Sequence, residues 1–299
     1  MVINCIENSP KCTLGENPLW FAHASVFLWT DIVKGCIYAY SDETKKTRTV
    51  LESDFQIGAF VICRDHNLIL LTEIGLIEAE YSEAAFHLDW SSLIPVELQP
   101  DERFNDAIVD CKGRILAGSK RESNTEGKLF CFEAERPYKI LLENLSISNG
   151  MGFTRDNKTL FHTDSGPGTI TAYAYDAEDA SISNPVLLYQ STGNATCDGM
   201  TVDKEDTIWT SCWAGGKIVQ LDLQGNSMQS IEIPAIQCSS LCFGGKNFGK
   251  MFVTSATIGL PKHSPMDGKC YIIDIGIQGK AEYEATPHIY PNWESRDKE

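Results

Sequence analysis

The sequence has 299 residues, of which 42% are hydrophobic and 22% are charged, so it can bury a sizeable core and does not have the composition of a disordered chain. Its 25 basic and 41 acidic residues give a formal net charge of -16, which opposes binding to nucleic acid or to an anionic membrane surface. The first residues, MVINCIENSPK, lack a basic segment followed by a long apolar one, and no later apolar run is long enough to span a membrane, so we expect a soluble cytoplasmic protein.

The predicted elements begin with a short segment of strand character, VINCIE, and continue with a pattern that occurs six times. Its copies begin at ENPLW, IGAFV, NDAIV, NGMGF, DGMTV and SSLCF, with starts 41, 48, 44, 49 and 41 residues apart. In every copy the residues two and four positions after the start are apolar, and this period of two predicts a strand. Two further strand-like runs follow each time, such as TLFHTD and TITAYA in the fourth copy.

Short, evenly spaced strands without an amphipathic helical stretch between them indicate an all-β protein. Six repeats of about four strands predict a six-bladed β-propeller, formed as a single domain over residues 1–299. A pair of β-sandwiches is the alternative, but it would have to divide six equal repeats unnaturally. We expect the N-terminal segment to pair into the last blade and close the ring, which would remove two exposed sheet edges.

The first position of each repeat is polar in five of the six copies, although in a regular strand it shares a face with the two apolar positions. Equivalent positions on the inner strands of a propeller surround one axis, so these side chains should converge at one mouth of the channel. Carboxylates and amides gathered there would repel one another and lose hydration unless a cation lay between them. The alternative is that Asn-Gly and Asp-Gly only begin strands after turns. The five polar residues are Glu16, Asn105, Asn149, Asp198 and Ser239.

The motifs LGENPLW, RFNDAIVDCKGRILAG, ISNGMGFTRDNKTLFHTDS, CDGMTVDKEDTIW and CFGGKNF occur in this order along the chain. Together they resemble the SMP-30/gluconolactonase/luciferin-regenerating-enzyme (regucalcin-like) family over nearly the whole sequence. The resemblance implies a six-bladed propeller with one divalent metal ion in its channel (Ca, Zn, Mn or Mg) and, for many members, the opening of sugar-acid lactones. It further implies that the metal ligands are Glu16, Asn149 and Asp198 and that the substrate-binding residues are Arg103, Asn105 and Glu122. The family usually has a glycine where this chain has Asn17.

We therefore hypothesise a metal-dependent hydrolase in which an activated water attacks the carbonyl of a sugar lactone. Asp198 is the candidate catalytic base, because it is the only base that the motifs place beside the metal; the alternative is that Asp198 serves only as a ligand. An esterase or organophosphate hydrolase on the same site and a non-catalytic calcium-binding propeller also stay open. Arg103 and Asn105 favour catalysis, since a scaffold would not need them. We expect a monomer or weak homodimer without nucleic-acid or membrane partners.

Overall fold

Six four-stranded antiparallel sheets form the blades of a ring in the computed structural model, which describes residues 2–123, 125–134 and 138–287. The predicted six-bladed β-propeller is confirmed. Six apolar clusters fill the spaces between neighbouring blades, so most of the core lies between sheets rather than within one. Helix occurs in these residues only as the 3-10 turns Ala22–Ala24 and Lys246–Phe248, and none of it is long and apolar enough to cross a membrane. The single domain over residues 1–299 stays a prediction.

Each blade uses four strands that follow one another outward from the axis, and blade 6 includes the first strand of the chain. Blades 1 to 3 consist of Gly15–Phe21, Val26–Asp31, Cys36–Ser41 and Lys46–Glu52; of Ile57–Ile62, Leu68–Thr72, Gly75–Ser82 and Ala85–Ile94; and of Glu102–Val109, Ile115–Arg121, Gly127–Phe132 and Lys139–Leu145. Blades 4 to 6 consist of Ser148–Phe153, Thr159–Asp164, Thr169–Asp176 and Ser181–Gln190; of Thr196–Val202, Ile208–Trp213, Lys217–Leu221 and Ser227–Glu232; and of Cys238–Gly244, Lys250–Ser255, Tyr271–Asp274 and Val2–Cys5.

The ring is closed by the N-terminal strand. Val2–Cys5 pairs antiparallel with Tyr271–Asp274, with Val2 opposite Asp274 and Cys5 opposite Tyr271. The predicted closure is therefore confirmed. Because blade 6 combines the N-terminal strand with three strands of the last repeat, the ring cannot open at this junction without breaking a strand pair.

A β-bulge lies beside the first repeat position in all six blades. The register between the innermost strand and its neighbour shifts there each time, for example between Glu16 and Leu19 in blade 1 and between Asn149 and Met151 in blade 4. A bulge adds one residue to one strand and redirects the side chains next to it. The alternation of period two therefore does not run unbroken from the first position onward, although the apolar pattern alone indicated that it does.

Neighbouring innermost strands lie close together one residue after the first repeat position, and this residue is glycine in three blades. A Cβ atom on Gly58 would lie 2.0 Å from the carbonyl oxygen of Phe104 in blade 3, and one on Gly150 would lie 2.5 Å from the carbonyl oxygen of Asp198 in blade 5. Contacts this short exclude a side chain, so these glycines allow the inner strands to pack side by side. The third is Gly199 of blade 5.

The segment 276–286 runs across the channel at the end opposite the first repeat positions. Its Gly279 N–H donates to the Phe248 carbonyl at 2.9 Å, and its Ala285 N–H donates to the Ile62 carbonyl at 2.8 Å. Both acceptors lie at or beyond the far end of an innermost strand, because the first repeat position of every blade lies at or within three residues of the start of that strand. The segment therefore forms a wall of the channel cavity, whose lining includes Asn17, Asp106, Met151, Met200, Leu241, Glu282 and Glu284.

Candidate metal and substrate site

Asn149 and Asp198 meet at the junction of blades 4 and 5, although they lie 49 residues apart in the sequence. The Nδ2 group of Asn149 donates a hydrogen bond to Oδ1 of Asp198 and a second one, at 3.1 Å, to Oγ of Ser165. Both site residues are 4% exposed. The bulges beside the two first repeat positions thus bring an amide and a carboxylate into direct contact.

Glu16 of blade 1 is buried close to this pair. Burial raises the pKa of the Glu16 carboxyl well above its usual value, and the charge of Asp198 raises it further. The pKa of Asp198 is also raised, by burial first and then by the charge of Asp106, whereas the hydrogen bond from Asn149 lowers it. The structure therefore brings together the three residues that the sequence identified as candidate metal ligands.

Arg103 and Asn105 belong to the innermost strand of blade 3. The Nη1 group of Arg103 donates to Oδ1 of Asn105 at 2.9 Å and to the Phe104 carbonyl at 2.8 Å, while Nδ2 of Asn105 donates to the Ser148 carbonyl of blade 4 at 3.1 Å. Burial lowers the pKa of Arg103, and nearby carboxylates, including those of the site, oppose this effect. The two side chains therefore form a fixed pair that brings one positive charge to the acidic group.

Glu122 lies apart from the buried residues. Its side chain is 66% exposed, and its Oε1 pairs with Nζ of Lys120 at 2.8 Å. The hydrogen bond from Lys120 lowers the pKa of Glu122, and the charge of Arg103 acts in the same direction. Glu122 is therefore within electrostatic reach of Arg103 but belongs to the rim of the site.

Asp106 and Asn17 enter the site although the sequence did not single them out as functional. Each directly follows a candidate site residue, Asn105 or Glu16, and both line the channel cavity. Burial raises the pKa of Asp106 to about 7, although a backbone N–H and the Asn17 side chain lower it. Strict alternation would point Asp106 and Asn17 to the opposite face of the sheet from Asn105 and Glu16. The bulges interrupt this alternation, which explains why both residues still face the site.

Ser148 and His162 support the site from within blade 4. The Oγ atom of Ser148 lies 2.8 Å from Nε2 of His162, and burial lowers the pKa of this histidine to about 4. The imidazole is therefore neutral near pH 7. Since the carbonyl of Ser148 accepts the hydrogen bond from Asn105, the pair holds the strand that anchors a candidate substrate-binding residue.

The donor set fits a divalent cation. Glu16 and Asp198 supply carboxylate oxygens and Asn149 supplies an amide, and such oxygen donors suit hard cations. The raised pKa values show that burial and like charge disfavour ionisation of both acids, and a cation between them would remove this conflict. In the described part of the chain no three His, Cys, Asp or Glu side chains form a metal-binding group.

Known proteins resemble the chain over almost its full length. The pentonolactonase XacC of Haloferax volcanii is 29% identical over 292 residues, which cover 93% of this chain and 97% of that protein. Regucalcin of Xenopus laevis is 29% identical over 294 residues, which cover 93% of this chain and 96% of the relative. A solved structure of a calcium-binding regucalcin from Agrobacterium tumefaciens has a TM-score of 0.86 at 21% identity, covering 94% of this chain and 96% of the other. Residues 14–257 match the family described as the SMP-30/Gluconolactonase/LRE-like region, and the chain therefore belongs to this family.

Proposed function

We propose that the protein is a metal-dependent lactonase that hydrolyses sugar-acid lactones. The observation that supports this most directly is the convergence of two buried carboxylates and an amide beside the fixed Arg103–Asn105 pair. The pentonolactonase of Haloferax volcanii, which this chain matches over most of its length, supports the same substrate class. A site that only stored an ion would gain nothing from an arginine beside its carboxylates, because the positive charge of the arginine opposes cation binding.

Arg103 and Asn105 bind the substrate in this proposal. The guanidinium of Arg103 can donate to lactone or hydroxyl oxygens with the N–H groups that face away from Asn105, and the partly exposed position of Arg103 gives a sugar-sized molecule access to them. Glu122 at the rim accepts hydrogen bonds from hydroxyl groups farther from the reacting carbonyl. The substrate is thereby oriented before the chemical step, which is the main contribution of such contacts.

Glu16, Asn149 and Asp198 would hold one divalent ion, and the chemistry of their donor atoms suits Ca2+, Zn2+, Mn2+ and Mg2+. When bound, such an ion polarises the carbonyl oxygen of the lactone. Asp198 accepts a proton from the water whose oxygen attacks the carbonyl carbon, using the oxygen other than the Oδ1 that binds Asn149. The proton then passes to the ring oxygen as the C–O bond breaks, and the product is an open-chain hydroxy acid.

A calcium-binding propeller without catalytic activity is the second candidate. It is favoured by the regucalcin of Xenopus laevis, which is as similar to this chain as the pentonolactonase, and by the calcium-binding protein of Agrobacterium tumefaciens. In this case the same three ligands would bind an ion, but no lactone would be turned over.

We also propose that the protein is a cytoplasmic monomer or weak homodimer whose partner is a small neutral lactone. The net charge of -16 supports this, because like-charged copies repel one another and an anionic surface is repelled as well. Sedimentation at several protein concentrations would test the oligomeric state, and a stable complex at micromolar concentration would contradict it.

The decisive experiment is a pH-drop assay over a panel of aldonolactones, with an enzyme-free reaction to subtract spontaneous hydrolysis. EDTA should abolish acid release, and one of Ca2+, Mg2+, Mn2+ and Zn2+ should restore it. Asp198→Asn should reduce turnover at least about 100-fold as expected for loss of a general base, whereas Asp54→Asn, at an exposed acid outside the site, should have no effect. Ion binding without acid release from any lactone would support the calcium-binding alternative.

A further inference from the structure

Asn17 connects three blades directly beside Glu16. Asn17 is only 4% exposed, and its Oδ1 accepts a hydrogen bond from the backbone N–H of Phe60 in blade 2 at 2.7 Å. The same side chain lies within reach of the carboxyl of Asp106 in blade 3 and lowers its pKa. Because Oδ1 is the acceptor for Phe60, the Nδ2 group is the donor to Asp106.

The backbone at this position also limits the choice of residue. Asn17 has a φ of 47°, in the left-handed region that glycine and asparagine adopt most readily. Glycine would satisfy this backbone requirement, but it would make neither of the two side-chain hydrogen bonds. The asparagine therefore adds two connections between blades that the backbone conformation does not require.

We propose that Asn17 is a positioning residue of the metal site, tying Glu16 to blade 2 through Phe60 and to blade 3 through Asp106. This inference rests on the proposed function, since it concerns the ion held by Glu16, Asn149 and Asp198. Glu16 is the only proposed ligand from blade 1, whereas the other two already contact each other. A residue that fixes blade 1 against its neighbours therefore sets the spacing of the whole ligand set before an ion binds.

Asn17→Gly tests this role because it keeps the left-handed backbone and removes both hydrogen bonds. Its affinity for Mn2+ is measured by calorimetry without substrate, after EDTA treatment and dialysis. Loss of a supporting contact typically weakens metal binding about 10- to 100-fold, and we expect a fall of this size. Asn157→Gly is the matched control, because Asn157 also has a left-handed backbone, with a φ of 58°, and its side chain hydrogen-bonds Tyr283 of the segment 276–286, at the channel end opposite the first repeat positions. The Mn2+ affinity of this variant should be unchanged.

Exchanging the donor and the acceptor tests the connection to blade 3 separately. Asn17→Asp keeps an acceptor for Phe60 but turns a second carboxylate toward Asp106. The repulsion should displace Glu16, so Mn2+ affinity should fall as in Asn17→Gly, and kcat should fall relative to KM. Adding Asp106→Asn restores the hydrogen bond with its direction reversed, and this double variant should return to within about threefold of the wild-type affinity, the range expected when a coupled pair is re-formed.

The outcomes separate this inference from the proposed function. Wild-type Mn2+ affinity in both Asn17→Gly and Asn17→Asp would overturn the positioning role and leave the lactonase proposal standing. Wild-type protein that binds no Mn2+, Ca2+, Mg2+ or Zn2+ would overturn both. If Asn17→Gly fails to fold, the reversed pair still decides the matter, because a double variant that folds but stays as weak as Asn17→Asp contradicts the role of Asp106.

Discussion

Replacing Gly150 by alanine tests whether the close approach of blades 4 and 5 determines the geometry of the site. Gly150 follows Asn149, and a Cβ atom there would lie 2.5 Å from the Asp198 carbonyl oxygen and 2.5 Å from the Met200 nitrogen. Both are backbone atoms, so no side-chain rotation can relieve the contact. The added methyl group acts directly between two of the proposed ligands.

The size of the effect follows from these distances. Cβ atoms essentially never approach other atoms closer than 3.0 Å, so the inner strands must separate by at least the missing 0.5 Å (3.0 minus 2.5). Overpacking of this kind costs about 1–3 kcal/mol in the free energy of unfolding, which corresponds to a fall in Tm of roughly 2 to 10 °C. A displacement on the order of 1 Å in a catalytic group lowers turnover about 100-fold, so activity should suffer far more than stability.

The assay combines urea unfolding, Mn2+ calorimetry and lactone turnover on Gly150→Ala. The control is Gly249→Ala, because a Cβ there would meet only the Lys246 carbonyl at 3.4 Å and its φ of -86° suits alanine. The control should match the wild type in all three measurements. Wild-type ion affinity and turnover in Gly150→Ala would refute the idea that contact between these two strands sets the spacing of Asn149 and Asp198.

Three further predictions concern other parts of the molecule. Arg103→Lys should lower kcat/KM for the lactone about 10- to 100-fold, because lysine cannot keep the Phe104 and Asn105 contacts while also holding the substrate. Unchanged kinetics would place Arg103 outside the site. In EDTA, the wild type should lose stability relative to Asp106→Asn as the pH rises from about 4 to 8. The reason is that the folded pKa of Asp106, about 7, exceeds its unfolded value of 3.8, so the folded protein holds this proton more tightly. Parallel urea midpoints across this range would contradict the raised pKa of Asp106. Deletion of residues 1–5 should lower the Tm by several degrees, since it exposes the edge of the strand Tyr271–Asp274. An unchanged Tm would show that the N-terminal pairing adds nothing to the stability of the closed ring.

The fold could be predicted from the sequence because the repeat is visible in its apolar positions. Each innermost strand needs apolar residues at the second and fourth positions after its start, and the six copies keep this rule from Pro18 and Trp20 to Leu241 and Phe243. The closing strand was also predictable, because VINC has strand character and has no repeat of its own to join. These features depend on the local apolar periodicity and on the number of repeats, and both can be read directly from the sequence.

The details of the site were less accessible, because they depend on the bulges. The polar first positions were noticed because polar residues at otherwise apolar positions stand out, and the family resemblance then implied that Glu16, Asn149 and Asp198 among them are the metal ligands. Asp106 was missed because an unbroken alternation places it on the other face from Asn105, and nothing in the apolar pattern reveals the extra residue of the bulge. The three glycines beside the first positions were the available signal, since glycine inside a strand often marks a bulge or a close approach.

The wall that segment 276–286 builds across the channel has a consequence for turnover. In the proposed reaction, a lactone would therefore reach the carboxylates from the other mouth, past the partly exposed Arg103 and the rim residue Glu122, and the ring-opened acid would leave the same way. The incoming molecule is uncharged and the outgoing one is an anion, while the protein carries a formal charge of -16. The field of the whole molecule therefore leaves entry unhindered and pushes the anion outward, so that accumulated hydroxy acid should compete only weakly with fresh lactone.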